Sequence, residues 1–166
     1  MGRGGAFVRG AQEVEGDVVL LLHSDTVHPL KWDEAIARAL EDGQIVGGAF
    51  SLSYDVSSLY LKLLIFMSNA FVRLTGEMWG DRAIFVRTEV LQQCLTLMDV
   101  PLLEDVRLSK CMNGCGKAIV LREKVVTSAD GFRREGMVRH AWRALKCRLW
   151  YALGGDLERM YEYYYS

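Results

Sequence analysis

Residues 18–22 form an unbroken apolar run, and the four that follow, His23-Ser24-Asp25-Thr26, are all polar. A short apolar run between polar signals predicts a strand over residues 17–22 covered on both faces, as in a parallel sheet. The same logic continues along the chain. Residues 2–15 are glycine-rich at first and predicted helical from Ala6 onward. Ile36 and Leu40 lie four apart within a predicted helix from Trp32 to Leu40, which Asp42-Gly43 ends. Residues 44–54 alternate Phe50, Leu52 and Tyr54 with Ser51 and Ser53, a strand in which Gly47-Gly48 mark a bulge or a close backbone approach.

The second half is patterned similarly. Residues 59–74 form the most apolar stretch, interrupted by Lys62, Asn69 and Arg73, too short and too broken to span a bilayer. They predict a buried or membrane-surface helix. A loop over residues 75–82 leads to a short strand at 83–87, and Thr88 suits the N-cap of a helix at 89–97. Glu104-Asp105 lie at the start of another helix, ended by Asn113-Gly114. Strands follow at 117–122 and 125–128, then a basic helix at about 136–153. Alternation of this kind predicts an α/β domain with a mainly parallel or mixed sheet.

Composition places the chain among globular proteins: 166 residues, 51% hydrophobic and 25% charged. That length suits one domain burying roughly two-thirds of its unfolded surface. A net charge of −1 leaves no global footprint for nucleic acid. The start lacks the apolar core of a secretory signal, so a cytoplasmic setting is expected, peripheral to a membrane at most. The four cysteines, Cys94, Cys111, Cys115 and Cys147, read as buried or free thiols. Cys111 and Cys115 share a helix face, yet a zinc site would need further ligands at suitable spacing.

Acidic residues recur at element boundaries: Asp25 after a strand, Asp81 in a glycine-flanked loop, Glu104-Asp105 at a helix start. A carboxylate at a strand's end suits Mg²⁺ or Mn²⁺, which favour oxygen ligands and share them with phosphates. Glu104-Asp105 fit two roles from spacing alone, helix capping or a general base.

In order along the chain stand Gly2-Arg3-Gly4, Gly16-Asp17 with the apolar run to Leu22-His23-Ser24-Asp25-Thr26, Gly48-Ala49-Phe50, Gly80-Asp81-Arg82-Ala83-Ile84-Phe85-Val86-Arg87, Leu103-Glu104-Asp105-Val106 and Val126-Thr127-Ser128-Ala129. Together these resemble family 2 glycosyltransferases of the GT-A fold, and within them the small bacterial-type "transferase 2" enzymes with a Leu-His-Ala-Asp-Thr motif. The resemblance implies transfer of a sugar from a nucleotide-diphosphate donor to an acceptor hydroxyl, metal-assisted and inverting. His23 and Asp25 then correspond to the element that binds donor diphosphate, with Asp25 as the metal ligand for Mg²⁺ or Mn²⁺. Asp105 corresponds to the catalytic base, with Glu104 beside it. Trp79, Gly80 and Asp81 match the acceptor-side loop, and Arg133 and Arg134 are placed to reach phosphate.

The family's opening strands and βα units, which cradle the nucleoside base, precede the Gly-Arg-Gly segment. The 166 residues therefore resemble the carboxyl-terminal two-thirds of such an enzyme, as a single partial domain with an incomplete sheet. An open sheet edge would invite an oligomer or partner chain. The competing reading is a non-catalytic interaction protein on a truncated glycosyltransferase scaffold. The basic helix, with Arg139, Arg143, Lys146 and Arg148 beside Trp142 and Trp150, fits either packing on the core or contact with an anionic membrane near a lipid-linked acceptor.

Overall fold

A computed structural model describes residues 3–56, 59–130 and 136–165. A five-stranded mixed sheet organises it, built from β1 (Val18–Leu21), β2 (Thr26–Val27), β3 (Ile45–Tyr54), β4 (Ile84–Arg87) and β5 (Lys117–Thr127) in the order β1-β4-β3-β5-β2. Only β3 and β5 run parallel; β1–β4, β4–β3 and β5–β2 are antiparallel. The sheet is thus mixed, the second of the two forms that the alternation of elements allowed.

The reason lies in β1. Val19 and Leu21 pack into one apolar cluster, Val18 and Leu20 into another on the opposite sheet face. Two-sided packing explains the unbroken apolar run. Yet β1 stands at the edge, and among the described residues β4 is its one pairing partner. An apolar run reports burial of both faces and says nothing of neighbour direction.

Helices cover both faces. α1 (Arg3–Gln12), α4 (Thr88–Met98) and α5 (Glu104–Cys115) pack over one, with Ala11, Leu91, Cys94, Met98, Leu108 and Met112 in its core. α2 (Trp32–Leu40) covers the other through Ala35 and Ile36 against Phe50, Phe85 and Val125. α1 begins earlier than its sequence suggests because Gly4 lets it approach α4's end. A Cβ there would lie 2.2 Å from the Met98 carbonyl oxygen. Gly47 and Gly48 serve both anticipated roles. The register shifts between Ile45 and Gly47, and a Gly48 Cβ would meet the Ile119 oxygen at 2.3 Å.

Several local readings need correction. Thr88 is the first residue of α4 rather than its cap, its hydroxyl donating to the Gly16 carbonyl. The two strands anticipated at 117–128 are one, because β3 supplies a partner along most of that length. α5 runs past Asn113-Gly114 to Cys115, since the Asn113 amide donates to the Gly76 oxygen instead of ending the helix. Cys94 and Cys111 form a disulfide, brought together by the α4–α5 hairpin with their Cα atoms 5.9 Å apart; Cys115 and Cys147 are free.

α3 (Leu59–Thr75) buries Leu61, Asn69 and Val72 while exposing Leu63, Phe66 and Met67. No described helix is long and apolar enough to cross a membrane. The basic helix is α6 (Met137–Ala152), and the tyrosine-rich end forms α7 (Leu157–Tyr165), held by the fully buried Met160 and a Trp150–Tyr163 edge contact.

Candidate functional site

Three chain segments converge at one end of the sheet: the exit of β1, the short 3₁₀ turn Gly80–Arg82, and the start of α5. Asp105 links two of them. Its Oδ2 accepts a 2.6 Å hydrogen bond from the Gly80 backbone N–H, and its Oδ1 accepts one of 2.7 Å from Val106. Of the two uses weighed for this residue, these bonds bear on the first. Asp105 satisfies a first-turn N–H of α5 and also reaches the loop that carries Asp81.

Gly80 brings in the third segment. A Cβ at Gly80 would lie 2.5 Å from His23 Nε2 and 3.3 Å from Asp105 Oδ2. The imidazole stacks on Phe7 of α1, ring centroids 6.1 Å apart. An open cleft of about 280 Å³ lies beside them, lined by Ala6, Phe7, Leu22, His23, Ser24 and Asp25.

Asp25 is exposed at the turn between β1 and β2, accepting from Thr26 Oγ1 at 3.3 Å. Its backbone oxygen accepts from Ser128, and the Thr26 and Thr127 hydroxyls lie 3.0 Å apart, so β2 clamps the turn onto β5. Among the described residues no group of three carboxylates and imidazoles comes within ligand distance. Mg²⁺ does not need one, since it is commonly bound by one or two carboxylates plus substrate phosphates and water. Asp25 fits that minimal set.

Asp81 is an acid with a buried carboxyl. Burial holds its carboxyl above the usual carboxylate range, with Asp105 pushing the same way and Arg82 and His23 opposing. Tyr54 faces its Oδ2 at 3.4 Å, and burial together with Asp81 keeps that phenol protonated. Asp81 Oδ1 and Trp79 Nε1 are shielded from solvent without a protein hydrogen-bond partner among the described residues. One loop thus presents an unpaired acceptor and an unpaired donor, an arrangement that buried polar groups rarely keep without a ligand or water.

The loop is held from beneath by Arg82. Its guanidinium is fully buried, donating to Asn69 Oδ1 and to Ser68 Oγ, each at 2.6 Å. Asn69 in turn pairs with both backbone groups of Leu52, tying α3 to β3. Two residues outside glycine take left-handed backbone here, Ala83 just after Gly80–Arg82 and Leu103 just before Glu104. Such conformations cost ~1–3 kcal/mol and persist where the surrounding structure fixes them.

Glu104 is buried at α5's start while Asp105 turns to the loop, so these neighbours occupy different surroundings. Arg133 and Arg134 lie outside the described residues. A cation from another element that reaches the site is Arg148 of α6. It pairs with Glu77, sits 3.8 Å from the Trp79 ring centroid, and feels the charges of Asp105 and Asp81. Sequence placed it only on a basic helix; nothing in its spacing distinguished it from Arg143 or Lys146. Tyr54, Asn69 and Arg82 were missed for the same reason, since each acts through a partner distant in sequence.

Residues 1–107 match the family described as "Glycosyl transferase family 2". The match spans every segment of the site except α6 and the β5 contacts. A search of curated proteins finds no match.

Proposed function

The chain belongs to glycosyl transferase family 2, and from that premise we propose that it transfers a sugar from a nucleotide-diphosphate donor to an acceptor hydroxyl with inversion. The observation that carries this is the junction of Asp105, Gly80 and His23. It sets a carboxylate on one side of a loop and the donor-side β1 exit on the other. His23 and Asp25 face the cleft where diphosphate would lie. When bound, Mg²⁺ or Mn²⁺ on Asp25 would stabilise charge developing on the departing diphosphate.

Asp105 takes the proton from the acceptor hydroxyl as its oxygen bonds to the anomeric carbon. The bond from that carbon to the diphosphate oxygen breaks, and its electron pair leaves with the nucleotide. The hydrogen bonds from Gly80 and Val106 fix the carboxylate's orientation beforehand. Trp79 and Asp81 offer a donor and an acceptor for the incoming hydroxylated ligand. The exposed apolar residues of α3 and the basic α6 support an acceptor carried on an anionic lipid surface.

Calorimetry with UDP- and GDP-sugars, with and without Mn²⁺, tests this reading. Metal-dependent donor binding that Asp25→Asn abolishes supports it, as does Asp105→Asn retaining donor binding but losing turnover. A folded chain that binds no donor would overturn it and leave the non-catalytic scaffold.

A further inference from the structure

A second cluster of reactive side chains lies away from these acids, on the α4–α5 hairpin. Cys94 projects from α4 and is fully buried, while Cys111 and Cys115 follow one turn apart on α5. Their three sulfur atoms lie within 4.8 Å of one another. Two are joined as the Cys94–Cys111 disulfide, and the third, Cys115, is a free and exposed thiol at the mouth of the cluster. The Gln93 side-chain oxygen stands 4.0 Å from the Cys115 sulfur.

From this juxtaposition we propose that the reduced protein holds a thiophilic divalent cation of the zinc class on Cys94, Cys111 and Cys115, and that the disulfide is the metal-free closed form. Tetrahedral zinc with bonds of ~2.3 Å to sulfur sets its ligands about 3.8 Å apart. Sulfurs already within 4.8 Å of one another stand near that spacing once the Cys94–Cys111 bond is opened. Thiolates select soft and borderline cations over the hard ions that suit Asp25. The fourth position falls to Gln93 or to water.

Opening the site takes a two-electron reductant, such as a dithiol. The dithiol delivers two electrons and two protons to the Cys94–Cys111 bond and becomes a disulfide itself. The cation then displaces protons from the three thiols, which makes uptake favoured by higher pH. A small disulfide reverses the process: it takes two electrons from the Cys94 and Cys111 thiolates, leaves as two thiols with two protons from solvent, and the ion is released. Metal occupancy at this hairpin is thereby coupled to thiol redox state, independently of the sugar-transfer reading.

Zinc uptake by the full chain, measured against a chromophoric chelator, tests the proposal. Protein reduced with a phosphine and held under argon should take one Zn²⁺ per chain, and the same protein left oxidised should take none. Cd²⁺ should give a sulfur-to-metal charge-transfer absorption in the reduced form. Because Cys115 is exposed, Cys115→Ser should keep the fold and weaken binding by more than the ~10–100-fold typical of losing an outer-shell partner. Cys147→Ser should leave uptake unchanged. No uptake by the reduced chain, or equal uptake by Cys115→Ser, overturns the proposal. If reduction loosens the hairpin, recovery of helical circular dichroism on adding Zn²⁺ supports it, and failure to recover overturns it.

Discussion

Asp105 Oδ2 receives the Gly80 backbone N–H at 2.6 Å, although the two residues lie 25 apart in sequence. The bond joins the start of α5 to the loop carrying Trp79 and Asp81. It also explains the glycine, whose missing side chain leaves room for His23.

Gly80→Ala would force a methyl to 2.5 Å from His23 Nε2. Overpacking of this kind costs ~1–3 kcal/mol, and misplacing a reacting group by about 1 Å can cost ~100-fold in rate. The variant should fold with a lowered melting temperature and lose turnover by about two orders of magnitude. Adding His23→Ala should restore stability, as read by thermal melts, without restoring turnover.

Asp81 makes stability fall as pH rises. Burial raises its folded-state pKa above the ordinary value, so the native protein holds a proton that the unfolded chain has released. Stability is therefore lost from the unfolded carboxylate range upward through the raised value, and is level above it. Asp81→Asn should be the more stable protein at neutral pH, each ~1 kcal/mol appearing as about 2–4 °C. Melting curves from pH 4 to 8 should show the advantage shrinking toward the acid end.

Arg82 is fully buried, and its removal would take one of two donors from Asn69 Oδ1 and the guanidinium donor from Ser68 Oγ. Hydrogen bonds from a charged group contribute ~1.5–3 kcal/mol each. Arg82→Met should lower the urea midpoint accordingly. Arg82→Lys should recover only part, because an ammonium cannot bridge Ser68 and Asn69 as the guanidinium fork does.

Arg148 anchors α6 over the loop at residues 75–82 through Glu77 and the Trp79 face. A partly desolvated cation–π contact contributes ~1–2 kcal/mol. Arg148→Gln should change Trp79 fluorescence and raise the acceptor KM about tenfold while donor binding stays near its original value. A double-mutant cycle with Glu77→Gln should show coupling above ~0.5 kcal/mol.

The sequence by itself determined much of the order of elements, the family and the acids worth examining. Apolar runs, glycines and boundary carboxylates are local signals, and Val18–Leu21, Gly48, Asp25 and Asp105 carry them in their immediate neighbours. Tertiary structure alone decided which strands pair and in which direction. It placed β1 at an edge beside β4, because burial of both faces reads identically for either orientation. It likewise singled out Arg148 among the basic residues of its helix, tied Arg82 to Asn69, and closed Cys94 onto Cys111. Each of those depends on a partner from a distant segment, and pattern along the chain holds no record of such distances until packing sets them.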